Sequence, residues 1–188
     1  MTSSAPPQPP AAAAPPAAVA GTPQISAPPR WRRPAWRSVA LWAWQGLGAS
    51  LAVGAMEIAA HLGETPLALI PFATSIVLVL SMPDAEAAQP RALVGGHVIS
   101  TLVGFAMLAL FGRSEPAAAA AVGLAVVAMR ATRTLHPPAA INPIIVVIEG
   151  MTAGFLMVPV LSGALMLLVY AFGWHNMFGG RKWPVRWW

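Results

Sequence analysis

The chain has 188 residues, of which 57% are hydrophobic and only 9% are charged. A soluble domain carries roughly a quarter charged residues, and a soluble fold of this size could not bury so much apolar surface, so composition excludes that class. The formal net charge is +5, but the basic residues flank apolar segments together with tryptophans. That arrangement is typical of a membrane interface, so we expect no nucleic-acid partner. The absence of cysteine excludes disulfides and thiolate metal sites.

The N-terminal segment, residues 1–29, consists almost entirely of Ala, Pro, Ser, Gln and Gly and carries no charge. It has no helical or strand periodicity, and its repeated prolines block regular structure. We therefore predict a disordered Pro/Ala-rich tail over residues 1–29, followed by a transmembrane helical domain over residues 30–188.

Five long apolar runs follow the tail and predict helices that cross a membrane. They are residues 38–60, 66–82, 92–111, 116–131 and 139–174. A spanning helix needs about 20 apolar residues, with about 17 as the lower limit. Short turns rich in Pro and Gly separate the runs and make sequential neighbours antiparallel. The sequence therefore predicts an all-α, polytopic transmembrane helix bundle.

The last run is too long for a single crossing. At about 1.5 Å per residue it would form a helix of more than roughly 50 Å, against a hydrocarbon core of about 30 Å. Glu149 and Gly150 form the natural breakpoint. We therefore predict a broken helix after the His-Pro-Pro motif at residues 136–138, and five or six segments in total. Non-helical backbone at membrane depth survives only when it is buried in protein or faces a watery cavity, so the break also points to the functional region.

The distribution of arginines predicts the orientation. Before the first run stand Arg30, Arg32, Arg33 and Arg37. If this segment is cytoplasmic, the same side also holds Arg91, Arg130 and Arg133, and only Arg113 lies outside. We expect an integral protein of a bacterial inner membrane with a cytoplasmic N-terminus. An even number of crossings places the C-terminal basic segment, residues 181–188, at the same face.

Small residues recur every four positions in two of the runs. The two stripes are Gly46, Ser50 and Gly54, and Gly96, Ser100 and Gly104. Small side chains on one helix face let another backbone approach closely. Both helices are therefore expected to make close contacts, with each other, with other helices of the bundle, or with partner subunits in a homo-oligomer or a larger membrane complex.

Few ionisable residues lie within or beside the apolar runs. Glu57 and His61 are four residues apart on one helix face and form a candidate proton relay, to which Glu149 could contribute. The alternative is that all three lie near the headgroups in contact with water. His97 is expected to be a packing histidine rather than a ligand. No pair has metal-site spacing and no nucleophile and base stand out, so we expect no metal, no cofactor and no enzymatic activity.

The segment from Arg130 to Pro143 carries the most local information. A residue before proline is disfavoured in the helix, and proline suits a first helical turn, so one helix ends near His136 and another begins near Ala139. Free N–H groups at a helix start inside a membrane cavity form a ready anion site. The predicted substrate-binding residues are His136, Pro137, Pro138, Asn142, Arg130 and Arg133.

The string Thr134-Leu-His-Pro-Pro-Ala-Ala resembles the signature of the HPP family of integral membrane proteins. Other pieces match in order: Gln89-Pro-Arg, Gly95-Gly-His, Asn142-Pro and the closing Arg-Lys-Trp-Pro-x-Arg-Trp-Trp that begins at residue 181. The resemblance covers the chain from about residue 38 to its end. Members are usually described as four-span proteins, from which our count of five or six segments departs. Plastid and cyanobacterial relatives are implicated in nitrite transport.

Two functional classes follow from these observations. The first is a membrane transporter or channel for a small inorganic anion, with nitrite as the candidate that the family resemblance supplies. The second, which we rank below the first, is a structural or assembly subunit that binds a larger membrane complex through its small-residue faces and its aromatic basic tails. A polar pathway lined by His136 and Asn142 would favour transport, because a structural subunit does not need one.

Overall fold

The computed structural model describes residues 36–64, 70–178, 180 and 182–187. The predicted tail over residues 1–29, the arginines at positions 30, 32 and 33, and Arg181 lie outside the described residues. The described part of the chain is helical throughout its regular structure and contains no strand. The prediction of an all-α membrane protein is confirmed.

The described residues form six α-helices. They are α1 Trp36–Leu62, α2 Ala73–Ser81, α3 Pro90–Phe111, α4 Glu115–Ala131, α5 Ile141–Glu149 and α6 Ser162–Gly173. Short 3₁₀ turns at Glu86–Ala88 and Pro137–Ala140 precede α3 and α5, and π-helical turns extend α6 at both ends. Three segments are long and apolar enough to cross a membrane: Trp36–Leu62, Pro90–Phe111 and Leu156–Phe178.

Helix α3 is the central element, and α4 and α5 pack along it in opposite directions. Helix α4 returns after a tight turn, and its end meets the start of α3, where Arg91 Nη2 donates to Thr132 O at 2.7 Å. The chain then turns and runs back along α3. Gly104 faces Pro143 and Val146, and at the far end Arg113 Nε donates to Ile148 O at 2.9 Å. Helix α5 is therefore parallel to α3.

The predicted break at Glu149 and Gly150 is confirmed. Helix α5 ends at Glu149, and Gly150 adopts the left-handed conformation with φ +66°. The Met151 N–H closes this turn on Val146 O at 3.1 Å, which is the usual hydrogen bond of a glycine-terminated helix. The chain then reverses into the long final helical segment.

The final segment brings the C-terminus back to the end of the bundle where α3 begins. There the Gln89 side chain accepts hydrogen bonds from the Val185 and Arg186 N–H groups at 2.9 and 3.2 Å. Helix α1 has its first half at the same end, because Gln45 Nε2 donates to Ser81 O at 3.1 Å. The start of α1 and the C-terminal segment therefore lie at one face of the bundle, as an even number of crossings requires.

Helices α2 and α5 are each nine residues long, too short to cross the bilayer alone. They occupy opposite halves of the bundle. Helix α2 runs from the level of His97 towards the end where α3 begins, whereas α5 runs from the same level towards the opposite end. The N-terminal ends of both short helices therefore meet at mid-bundle.

The two small-residue stripes differ in what packs against them. On α3 the stripe is packed, because a Cβ atom at Gly104 would lie 2.9 Å from Pro143 Cα and Val146 Cβ. On α1 the stripe makes no close contact within the described chain: a Cβ atom at Gly46 or Gly54 would have no heavy atom of the described residues within 4 Å. Close contact of this stripe with a partner subunit stays a prediction. Helix α1 packs instead through Gly48, which contacts the Trp174 ring.

Candidate functional site

Five polar side chains meet at the level where α2 and α5 begin, and we call them the buried cluster. All five are 0% exposed: Ser75, His97, Thr101, His136 and Asn142. They come from three helices and from the turn before Pro137. The Phe72 ring covers one side, with its centroid 4.5 Å from that of the His97 ring. The cluster is therefore closed to solvent in this structure.

The hydrogen-bond partners fix the direction of each bond in the cluster. His136 Nδ1 lies 2.7 Å from Ala87 O, a pure acceptor, so Nδ1 carries the proton and Nε2 accepts. The Ser75 hydroxyl donates to that Nε2 at 2.8 Å. Ser75 then accepts from His97 Nε2 at 2.9 Å, which leaves His97 Nδ1 as an acceptor. This assignment takes both imidazoles as neutral and gives each of their nitrogens a partner.

Asn142 completes the network from α5. Its Nδ2 lies 3.1 Å from His97 Nδ1, 3.1 Å from His97 O and 2.9 Å from Thr101 Oγ1. Because a carbonyl oxygen only accepts, the amide nitrogen must be the atom that faces His97 O. Asn142 Oδ1 is buried and has no hydrogen-bond partner in the described part of the chain. The Asn142 side chain therefore has one unused acceptor, Oδ1, whereas its Nδ2 donors are engaged.

The backbone around His136 differs in one respect from the sequence expectation. His136 is extended, with φ −127° and ψ 94°, as a residue before proline should be. The N–H groups predicted to be free are engaged, however. Ala139 N–H donates to His136 O at 2.9 Å, and Ile141 N–H bonds back to the carbonyls of the 3₁₀ turn. The 3₁₀ turn satisfies these donors internally, because its bonds reach back only three residues.

Close approach of α3 to this segment requires glycine. A Cβ atom at Gly96 would lie 2.5 Å from His136 Cβ and 2.8 Å from Thr134 O. Such a contact with backbone cannot be relieved by a rotamer change. Gly96 therefore brings the turn at residues 134–136 against α3 and places His136 beside His97, with ring centroids 5.1 Å apart.

The two arginines predicted as ligands lie outside the buried cluster. Arg130 and Arg133 are both exposed. Arg133 occupies the left-handed region with φ +56°, and Thr134 N–H closes the end of α4 on Met129 O at 2.8 Å. Glycine is the usual residue at this position of a helix end, so the Arg133 backbone is strained.

Arg133 lines a pocket of about 190 Å³ at the end of the bundle where α3 begins. The other lining side chains are mainly polar: Glu86, Gln89, Arg91, Arg186 and Trp187. The lining includes three arginines and one glutamate, so its formal charge is positive. Ala87, which accepts from His136, lies in the turn between Glu86 and Gln89. The pocket and the buried cluster are therefore separated by this one turn.

The three predicted proton-relay residues are not part of the cluster. Glu57 and His61 are exposed on the last two turns of α1, and Glu149 is exposed at the end of α5. No hydrogen bond joins any of them to the cluster within the described residues. The interpretation that they lie near the headgroups agrees better with these positions.

Sequence reasoning missed Ser75, Thr101 and the participation of His97. Ser75 has no signal of its own, because a serine in a short apolar run is common in membrane helices. His97 and Asn142 do carry a signal, since each is a polar residue inside a family motif. Arg91 and Arg186 also belong to motifs, but their convergence with Arg133 depends on the tertiary fold.

Comparison with known proteins places the chain in a family. Residues 33–184 match the family model described as HPP, transmembrane region. The chain belongs to the HPP family. The resemblance inferred from the His136-Pro-Pro motif is thereby confirmed.

Two HPP relatives from Dictyostelium discoideum are named only as transmembrane proteins. One is 41% identical over 133 residues, covering 66% of this chain and 43% of the relative. The other is 38% identical over 125 residues, covering 62% and 44%. The chain thus spans less than half the length of these relatives. No solved structure matches it.

Proposed function

We propose that this HPP protein is a transporter or channel for a small inorganic anion, with nitrite as the first candidate. The observation that supports this most is the meeting of two short helix starts, those of α2 and α5, at one buried polar cluster. A helix N-terminus carries about half a positive charge even where its N–H groups are engaged, as at the start of α5. Transporters commonly use discontinuous helices whose N-termini face an anionic substrate near the bilayer midplane.

Transport requires the cluster to open, because each donor is engaged in the closed state. The Ser75 hydroxyl and the Asn142 amide are the two donors that a rotation can redirect towards an anion. Turning Asn142 also supplies the unpartnered Oδ1 with new neighbours. In this proposal His136 and Asn142 replace part of the anion's hydration, and Pro137 and Pro138 hold the turn rigid.

Protonation of His136 provides a way to couple opening to proton uptake. A proton on His136 Nε2 would turn that nitrogen from acceptor to donor, so Ser75 would have to redirect its hydroxyl. Pro71 O lies 3.5 Å from Ser75 Oγ and can accept the displaced hydrogen bond. In this proposal His136 takes up the coupled proton, rather than Glu57, His61 or Glu149, because the Ser75 hydroxyl has two possible acceptors beside it.

In this proposal the arginines attract the anion before it reaches the buried cluster. A positive pocket at the mouth raises the local anion concentration and so the encounter rate. Arg133 lines that pocket, whereas Arg130, the other predicted arginine, does not. We assign the mouth to the cytoplasmic side, together with the N-terminus, on the arginine distribution.

The second candidate is a structural or assembly subunit. It is favoured by the face of α1 that carries Gly46, Ser50 and Gly54, against which no described part of the chain packs. Small residues on a lipid-facing helix permit close contact with another subunit. The described residues hold no group of three His, Cys, Asp or Glu side chains suited to a metal.

The test is anion flux into liposomes that contain the purified protein. Nitrite, nitrate, formate and chloride are compared by initial uptake, with protein-free liposomes as the background. We expect nitrite uptake above background, and faster uptake when the outside is made acidic. Folded protein that moves none of the four anions would reject transport and leave the structural subunit as the better account.

A further inference from the structure

A second, apolar pocket lies beside the mouth pocket, and we call the two together the arginine cleft. Its polar end, of about 190 Å³, is lined by Arg91, Arg133 and Arg186. Its apolar end, of about 570 Å³, is lined by Val94 and Leu168 among others. Arg91 and Trp187 line both ends, so the two pockets adjoin each other.

The polar end is arranged for an anionic oxygen group. Its lining includes three arginines and one carboxylate residue, Glu86, and arginine binds phosphate through paired N–H donors. The arginines are held from behind: Arg91 donates to Thr132 O at 2.7 Å. The Arg186 backbone N–H donates to Gln89 Oε1 at 3.2 Å. The first bond holds the Arg91 guanidinium in place, and the second fixes the backbone position of Arg186.

The apolar end distinguishes between possible anions. An inorganic ion would occupy only the arginine end and leave the larger pocket, beside Val94 and Leu168, unfilled. A molecule with an anionic head and a hydrocarbon chain would match both ends. The cleft also lies at the end of the bundle, where basic residues and tryptophan are typical of the headgroup layer.

We propose that the arginine cleft binds an anionic phospholipid, with its phosphate among Arg91, Arg133 and Arg186 and one acyl chain between Val94 and Leu168. The excess of positive charge selects a lipid with a net negative head over a zwitterionic one. This inference goes beyond the transport proposal and does not rest on it, because lipid binding is measured without any ion flux. If both hold, a bound lipid shields the mouth from the permeating anion.

The test is a lipid titration of the full chain in detergent, followed by native mass spectrometry. Phosphatidylglycerol and phosphatidylcholine with identical acyl chains are the probes, and sodium phosphate is the competitor. We expect phosphatidylglycerol to bind more tightly than phosphatidylcholine, because the choline cation of phosphatidylcholine is repelled by the excess of arginine charge in the cleft. Millimolar inorganic phosphate should not displace it.

Three variants separate the cleft from general surface attraction. Arg186→Gln and Arg133→Gln should each weaken phosphatidylglycerol binding about tenfold. Arg130→Gln removes the same charge from an exposed position that does not line the cleft, and should have little effect. Equal binding of the two lipids, or an equal loss in Arg130→Gln, would overturn the proposal.

A fourth variant tests the acyl chain. Val94→Trp fills the apolar end and should weaken phosphatidylglycerol binding while leaving the arginines in place. If Val94→Trp binds lipid like the parent and inorganic phosphate displaces the lipid, the cleft takes an inorganic anion only and the lipid proposal is wrong.

Discussion

We expect loss of the Ser75 hydroxyl in the buried cluster to lower the free energy of unfolding far more than loss of the Ser81 hydroxyl, which lies on the same helix, α2. Ser75→Ala removes the atom that bridges His97 Nε2 and His136 Nε2, at 2.9 and 2.8 Å. Both histidines are 0% exposed in the closed bundle, so neither nitrogen can turn to water. The variant therefore leaves one buried donor and one buried acceptor without a partner.

The size of the effect follows from these two lost bonds. Leaving a buried polar group unsatisfied costs about 1–3 kcal/mol in soluble proteins. In membrane proteins interhelical hydrogen bonds average only about 0.6 kcal/mol, because the unfolded chain in lipid also finds partners. Two bonds then give a loss of about 1–3 kcal/mol in the free energy of unfolding. For a chain of this length, that lowers the melting temperature by about 2–12 °C.

Ser81→Ala is the matched control, because Ser81 lies on α2 and its hydroxyl bonds only to Val77 O of its own helix. Its loss should change the free energy of unfolding by less than about 0.5 kcal/mol. The assay is thermal unfolding of both variants in the same detergent. If Ser75→Ala and Ser81→Ala melt together, the bridging role assigned to Ser75 is refuted.

Three further predictions follow from the backbone. Gly104→Ala should destabilise the bundle by about 1–3 kcal/mol, since the added Cβ meets Pro143 Cα. Gly54→Ala should leave the stability of the monomer unchanged, and equal melting temperatures of the two variants would contradict the packing described. Arg133→Gly should raise the melting temperature, because glycine removes the strain of φ +56°, worth about 1 kcal/mol, and a lower value would contradict this interpretation. Reporter fusions at both termini should locate both on the cytoplasmic side, and opposite sides would rule out an even number of crossings.

Bulk features of the fold could be predicted because they depend on lengths and composition alone. The break at Gly150 follows from a run too long for the bilayer, and the end of α4 before His136 follows from the prolines after it. The stripes of small residues show the limit of this reasoning. Gly54 and Gly104 belong to identical patterns, but only Gly104 meets a neighbour, because a pattern describes a face and not what packs on it.

The site could be predicted only in part for the same reason. The motif located His136 and Asn142, but their partner Ser75 lies 61 residues from His136 along the chain. The N–H groups near Ala139 were predicted to be free because the sequence indicates a helix start. It does not indicate a 3₁₀ turn, in which Ala139 bonds back to His136 O.

Nitrite uptake by proteoliposomes of phosphatidylcholine tests the central claim most directly, with rates divided by the amount of folded protein. His136→Ala removes a member of the buried cluster, whereas Gly48→Ala introduces a packing clash with Trp174, between α1 and the end of α6. If the anion passes through the cluster, His136→Ala should lower the rate of nitrite uptake about tenfold or more, which is the effect of losing one charge-assisted hydrogen bond. Gly48→Ala should retain the parent's rate. Equal rates in His136→Ala and the parent would contradict it.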